Sequence, residues 1–194
     1  MEEDYFIKAK VAIMGEPSVG KSTIIARYIG REVNGRSLTP QFAKKTEPLH
    51  RLGGHQVEYC IWDTPAAARH RQMSQMCLRG VSVVLIVFDV TNRESFDAVP
   101  GIAEFVETSC KNDEEPMVVL VANKCDQERE VSEEEGQTMK ERIGAALYLE
   151  NSCMQVGSSK EMFNQIGIWL FKNREMSSVA EENSTVGERR VRES

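Results

Sequence analysis

Residues 15–22 read Gly15-Glu-Pro-Ser-Val-Gly20-Lys21-Ser22, the pattern G-x-x-x-x-G-K-[ST], and this octet constrains the fold more than any other stretch. The apolar run Ile7 to Met14 before it reads as a buried strand, and Lys21 to Ile29 after it as a helix. Glycines at both ends of such a turn let successive backbone N–H groups wrap an anion. The positive end of the following helix adds to that attraction. Lys21 can neutralise the β- and γ-phosphates of a nucleotide, and the Ser22 hydroxyl can ligate Mg2+. The competing reading is a glycine-rich turn with no ligand, and the strand before and helix after weigh against it. The octet specifies a nucleotide phosphate and leaves the base open.

Strand-like and helix-like runs alternate along the rest of the chain. Ala43 to Leu52 and Val57 to Trp62 read as two strands joined at Gly53-Gly54, a hairpin signal. Pro48 has no backbone donor, so the first of these belongs at a sheet edge. Val83 to Phe88 and Met117 to Ala122 are continuous apolar runs, as parallel strands covered on both faces require. Ala146 to Leu149 is a shorter strand. Ser95 to Cys110 has helical periodicity, and Gln72 to Leu78 has it more weakly. Two capping boxes, Ser132 with Glu135 and Ser158 with Glu161, predict helices to Arg142 and to about Arg174. The expected fold is α/β: one P-loop domain with a six-stranded, mostly parallel sheet, one antiparallel edge strand, and helices on both faces. It spans residues 1–174. Residues 175–194, polar and poor in apolar side chains, are expected to be a flexible tail.

Charge and cysteine content exclude several classes. With 24 basic and 30 acidic residues the formal charge is −6, which argues against nucleic acid as a partner. The five cysteines at 60, 77, 110, 125 and 153 form no C-x-x-C pair and read as reduced thiols in a cytoplasmic protein. No signal peptide is expected from the acidic stretch Met1 to Tyr5, and no apolar run approaches the ~20 residues of a membrane span.

Base choice is written in Asn123-Lys124-Cys125-Asp126, directly after a buried strand and about 100 residues beyond the phosphate loop. Ligands of open α/β sheets bind outside the carboxyl ends of the strands. There Asp126 can accept from guanine N1–H and the 2-amino group, a pattern adenine cannot offer. Asn123 can donate to the ring edge or tie neighbouring loops together, and the Lys124 stem can lie over the base. Trp62-Asp63-Thr64 closes the hairpin's second strand, where Asp63 can hold Mg2+ through water or serve as a turn cap.

These three elements, in this order, resemble the Ras superfamily of small GTPases. Phe88-Asp-Val-Thr-Asn-Arg-Glu-Ser-Phe96 and Leu78-Arg79-Gly80 look specifically Rab-like, and the resemblance covers about residues 7 to 174. It implies a GTP/GDP switch with Mg2+, working through effectors, exchange factors and GTPase-activating proteins in intracellular, vesicular or related transport. On that pattern Gly15, Ser18, Val19, Gly20, Lys21, Ser22 and Thr23 hold phosphate. Ser22, Thr39 and Asp63 serve the metal, and Ala66 meets the γ-phosphate. Asn123, Lys124 and Asp126 read guanine, with Ser152 and Cys153 in the later guanine-contacting loop.

The departures bear on mechanism. Where the family carries D-x-x-G-Q, this chain has Asp63-Thr64-Pro65-Ala66-Ala67. Ala66 keeps an N–H but its Cβ narrows the accessible φ. Ala67 has no group to orient an attacking water, so slow intrinsic hydrolysis is expected and no catalytic side chain is assigned. Thr39 is the nearest candidate for the switch threonine, although an ungapped count puts Pro40 there; a plain residue before proline is the alternative. Met154 replaces a lysine, and Cys77 stands where an effector-facing aromatic is expected beside Trp62. No cysteine follows 153, so no prenyl anchor is expected unless the chain has been trimmed. A monomer is expected, held at membranes, if at all, through partners. His50, His55 and His70 have no metal spacing: His55 reads as a hairpin-turn residue, and His70 as a loop residue or a water-positioning group. The competing functions are a hydrolysis-deficient GTP-binding scaffold or complex subunit and, against the guanine motif, a P-loop kinase.

Overall fold

The computed structural model describes residues 6–31, 42–49, 55–64, 71–110 and 115–173. Its frame is a six-stranded sheet of β1 (Phe6–Met14), β2 (Phe42–Pro48), β3 (Gln56–Asp63), β4 (Val83–Asp89), β5 (Met117–Asn123) and β6 (Leu147–Asn151), in the spatial order β2-β3-β1-β4-β5-β6. Among these strands, β2 and β3 pair antiparallel and the other neighbours pair parallel. The edge position expected for Pro48 is realised, with Pro48 opposite Gln56. β2 ends at Pro48, short of the expected Leu52. Leu49 still closes the pair by donating to the His55 carbonyl at 2.6 Å, and the glycine turn lies outside the described residues.

A strand's period of two divides the core into two layers. Along β1, Val11 and Ile13 join one cluster while Ala12 and Met14 join the other. The first cluster receives Ile24, Ile25 and Tyr28 from α1 (Lys21–Tyr28), and Phe163 and Ile166 from α6, a helix over 158–173. The Tyr28 and Phe163 rings stack at 3.9 Å. The second cluster receives Leu78 from α2 (Arg71–Leu78), Phe96 from α3 (Arg93–Asp97), Ile102 and Val106 from α4 (Val99–Ser109) and Met139 from α5 (Glu133–Arg142). β4, central and buried at every residue, serves both layers.

The single helix expected over Ser95 to Cys110 is two helices, α3 and α4, meeting at Ala98. Pro100 follows at the start of α4, where its missing N–H costs least. Asn92 starts α3 by accepting from the Ser95 N–H at 2.8 Å. The Ser132–Glu135 capping box forms as expected, and Arg93 adds two bonds to Glu135. Arg93 and the bonds from Ser132 hold the exposed Glu135 carboxyl down to about 2. The Ser158–Glu161 box does not form. The Glu161 N–H donates to the Gly157 carbonyl at 2.9 Å, and Ser158 Oγ is drawn into the preceding loop by the Ser152 N–H and Asn151 Oδ1.

Register levels the strand tips. Ile13 pairs with Asp63, and Asp89, Asn123 and Asn151 lie side by side at the ends of β4, β5 and β6. No helix among the described residues is long and apolar enough to cross a membrane.

Candidate functional site

The loop after β1 is held in shape by contacts that leave no room for side chains at its glycines. A Cβ on Gly15 would lie 2.3 Å from the Val87 carbonyl oxygen, and one on Gly20 would lie 2.3 Å from Asn123 Nδ2. Gly20 has φ +100 and Ser18 φ 66, left-handed conformations of the kind from which anion-binding backbone nests are built. Lys21 is the first residue of α1 and is 8% exposed. Its Nζ donates to the carbonyls of Gly15 at 2.8 Å and Glu16 at 2.7 Å. An ammonium has three N–H bonds, so one remains for a phosphate oxygen. Burial pushes the Lys21 pKa down, against the pull of Asp63 and Glu16.

Ser22 Oγ donates to Asp63 Oδ2 at 2.5 Å. Burial drives the Asp63 pKa up, opposed by the Ser22 bond and by Lys21. A hydroxyl and a carboxylate at the mouth of a phosphate loop are the hard oxygen donors that Mg2+ accepts, usually one or two from protein with water and phosphate completing the octahedron. The residues therefore fit the metal. Thr64 pins this strand end, its Oγ1 donating to the Ile13 carbonyl at 2.5 Å.

Across the sheet, Asn123 does what one of its two expected roles required. Its Nδ2 donates to the Val19 carbonyl at 2.7 Å, joining the guanine-type motif to the phosphate loop. Its Oδ1 accepts from Asn151 Nδ2 at 2.8 Å. Asn151 Oδ1 in turn accepts from Ser158 Oγ and Ser159 Oγ. Asp126 is exposed, and its Oδ1 accepts from Ser152 Oγ at 2.5 Å. Ser152 also receives the Met154 and Gln155 N–H groups. Asp126 is thereby aimed with lone pairs to spare for a base edge. A cavity of about 560 Å³ opens here between Asp126, Arg129, Ser152 and Met154. Lys124, in the left-handed region at φ 65, places its Nζ 2.5 Å from Asp89 Oδ2. Cys153 lies behind the loop, its Sγ 3.5 Å from Asn151 Nδ2.

Cys125 sits inside the motif but is no nucleophile. Burial above all, together with the Glu150 charge, pushes its thiol up to about 11. Only about one thiol in a thousand is then ionised at pH 8, so alkylation is expected to run roughly a hundredfold slower than for a free cysteine and to quicken as pH rises toward 11. Mass spectrometry of iodoacetamide-treated folded protein checks this. Labelling of Cys125 at a free-thiol rate would refute it.

The structure thus gathers Gly15, Ser18, Val19, Gly20, Lys21, Ser22, Thr23 and Asp63 around one loop mouth, and Asn123, Lys124, Asp126, Ser152 and Cys153 beside it. Thr39, Pro40, Ala66, Ala67 and His70 lie outside the described residues. Asp89, Thr64 and the α6 serines belong to the arrangement and were not expected from the sequence.

Comparison with known proteins points the same way. The Ras family model matches residues 10–170. The chain is similar to the Ras-related protein RabJ of Dictyostelium discoideum, 31% identical over 170 residues covering 87% of this chain and 65% of that protein. It is similar to the Arabidopsis thaliana Ras-related proteins RABA5e, 30% identical over 88% of this chain and 77% of that one, and RABC2a, 28% identical over 98% and 89%.

Proposed function

Because the chain belongs to the Ras family of small GTPases, in its Rab-like branch, we propose that it is a guanine-nucleotide switch in intracellular transport with slow intrinsic GTP hydrolysis. The observation that carries this reading is the Asn123 bridge. It sets the Lys21–Ser22–Asp63 cluster and the Asp126 carboxylate at one continuous row of strand tips. Lys21 would hold the β- and γ-phosphates, Ser22 and Asp63 the metal, and Asp126 the purine edge. Mg2+, when bound, neutralises charge building on the leaving phosphate. What the chain's own residues contribute is binding and orientation. Ala67 offers nothing to orient water, which supports slow hydrolysis. Thr39 is proposed as the switch threonine, and residues 1–174 as the functional unit.

Effectors, exchange factors and activating proteins are the partners this reading requires. The exposed Phe42 and Trp62 rings, 4.8 Å apart on β2 and β3, offer them an apolar face. Ala66 and Ala67 also favour a second reading, a GTP-bound scaffold.

Single-turnover hydrolysis with the nucleotide extracted from purified protein tests both readings. Guanine nucleotide is expected in the extract, with GTP decaying more slowly than in relatives that carry the glutamine. Ala67→Gln is expected to speed hydrolysis at least about tenfold by positioning water. An ordinary rate, unmoved by Ala67→Gln, would overturn the slow-hydrolysis reading. Partner binding that does not distinguish GDP from a non-hydrolysable GTP analogue would favour the scaffold.

A further inference from the structure

Asp89 ends β4 beside Asn123 and is 6% exposed. Both oxygens of its carboxylate are engaged. Oδ1 accepts from the Thr91 N–H at 2.9 Å and from Thr91 Oγ1 at 2.8 Å, while Oδ2 faces Lys124 Nζ at 2.5 Å. Burial works to raise its pKa, but the bonds from Lys124 and Thr91 outweigh burial and hold it below the usual aspartate value, so it remains charged. Lys124 has an unbranched stem and a backbone at φ 65. A free lysine side chain would lose most of its rotamer freedom on settling over a flat ring. Fixing the ammonium at its far end removes that loss from the binding step and charges it to folding instead.

We propose that Asp89 is a positioning residue for nucleotide retention, its carboxylate gripping the Lys124 ammonium so that the lysine stem is already laid along the face of a bound purine. This rests on the reading of the site as a guanine-nucleotide site. The rival role for Asp89 is local, a carboxylate that caps the Thr91 turn. The two differ in whether Asp89 acts through Lys124.

The test is the release of fluorescently labelled GDP from the full chain with Mg2+ present, chased with excess unlabelled GDP, for Asp89→Asn, Lys124→Met and their combination. Asp89→Asn is expected to speed release about tenfold. In the Lys124→Met background it should change release by less than about twofold, because the group it acts through is gone. Thr91→Val, which removes only the hydroxyl contact, should leave release within about twofold of the parent. Equal factors in both backgrounds, or no change in the parent, overturn the proposal. Should Asp89→Asn fail to fold, Asp89→Glu carries the same test, since it moves the charge by one methylene. Release must then quicken in the parent background and stay unchanged in the Lys124→Met background. A parent that loads no labelled GDP refutes the nucleotide reading itself. A parent that loads, with independent effects of the two changes, refutes the role of Asp89 alone.

Discussion

Replacing Lys21 by alanine is expected to weaken guanine-nucleotide binding about a thousandfold, enough to leave the purified protein free of nucleotide. The change removes a charge from the loop mouth and a donor from two carbonyls at once. With Nζ on Gly15 and Glu16, the ammonium is fixed before any phosphate arrives, so little ordering is lost on binding. Charge-assisted bonds contribute roughly 1.5–3 kcal/mol each. The one bond left for a phosphate oxygen, together with the attraction between the partly buried ammonium and the neighbouring phosphate charges, amounts to about 4 kcal/mol, and each 1.4 kcal/mol is a factor of ten in affinity. Titration with labelled GDP measures the loss. Affinity within tenfold of the parent would refute the phosphate-loop assignment. Thermal melting without added nucleotide should change far less, because α1 keeps its buried face of Ile24, Ile25 and Tyr28.

Gly15→Ala is expected to cost stability on a scale that few single substitutions reach. The new Cβ would meet the Val87 carbonyl oxygen at 2.3 Å and Val19 Cγ2 at 3.2 Å, on a backbone at φ +150. Val87 has little room to yield, because it is fully buried and paired with Val121 of β5, one residue past the point where the β1 register ends at Ile86. Strain of this kind costs at least about 3 kcal/mol, which for a chain of this size lowers Tm by roughly 6–12 °C. Gly101→Ala is the control. Nothing lies within 4 Å of its Cβ position, in the exposed face of α4, so it should stabilise slightly, by about 0.5–1 kcal/mol. Urea denaturation of the two variants checks the contrast. Equal small shifts would mean that the β4 carbonyl is not the wall that excludes a side chain.

The sequence makes periodicity visible, and what periodicity controls came through: the strand count, the edge position of Pro48, and both faces of β1. The two motifs, Gly15 to Ser22 and Asn123 to Asp126, were equally legible as strings, and the fold brings them together, with Asn123 bonded to the Val19 carbonyl. What stayed hidden depends on which side chains meet in space. Ser158 and Glu161 satisfy the pattern of a capping box, yet the Ser152 N–H and Asn151 compete for the same hydroxyl and win it. Asp89 stood in a Rab-like string with no role attached, and only the parallel register of β4 with β5 brings it to Lys124. Asn92 as a helix cap was readable in principle, because an asparagine three residues before Ser95 is a start signal. The run of apolar residues through Ala98 and Val99 masked it.

The Asn123 amide spans the gap between the two halves of the site, one end on Val19 and the other on Asn151. Prying up either loop therefore drags on the other. A protein that ejects the ligand needs purchase at a single point, and the escape should follow one exponential rather than a staircase.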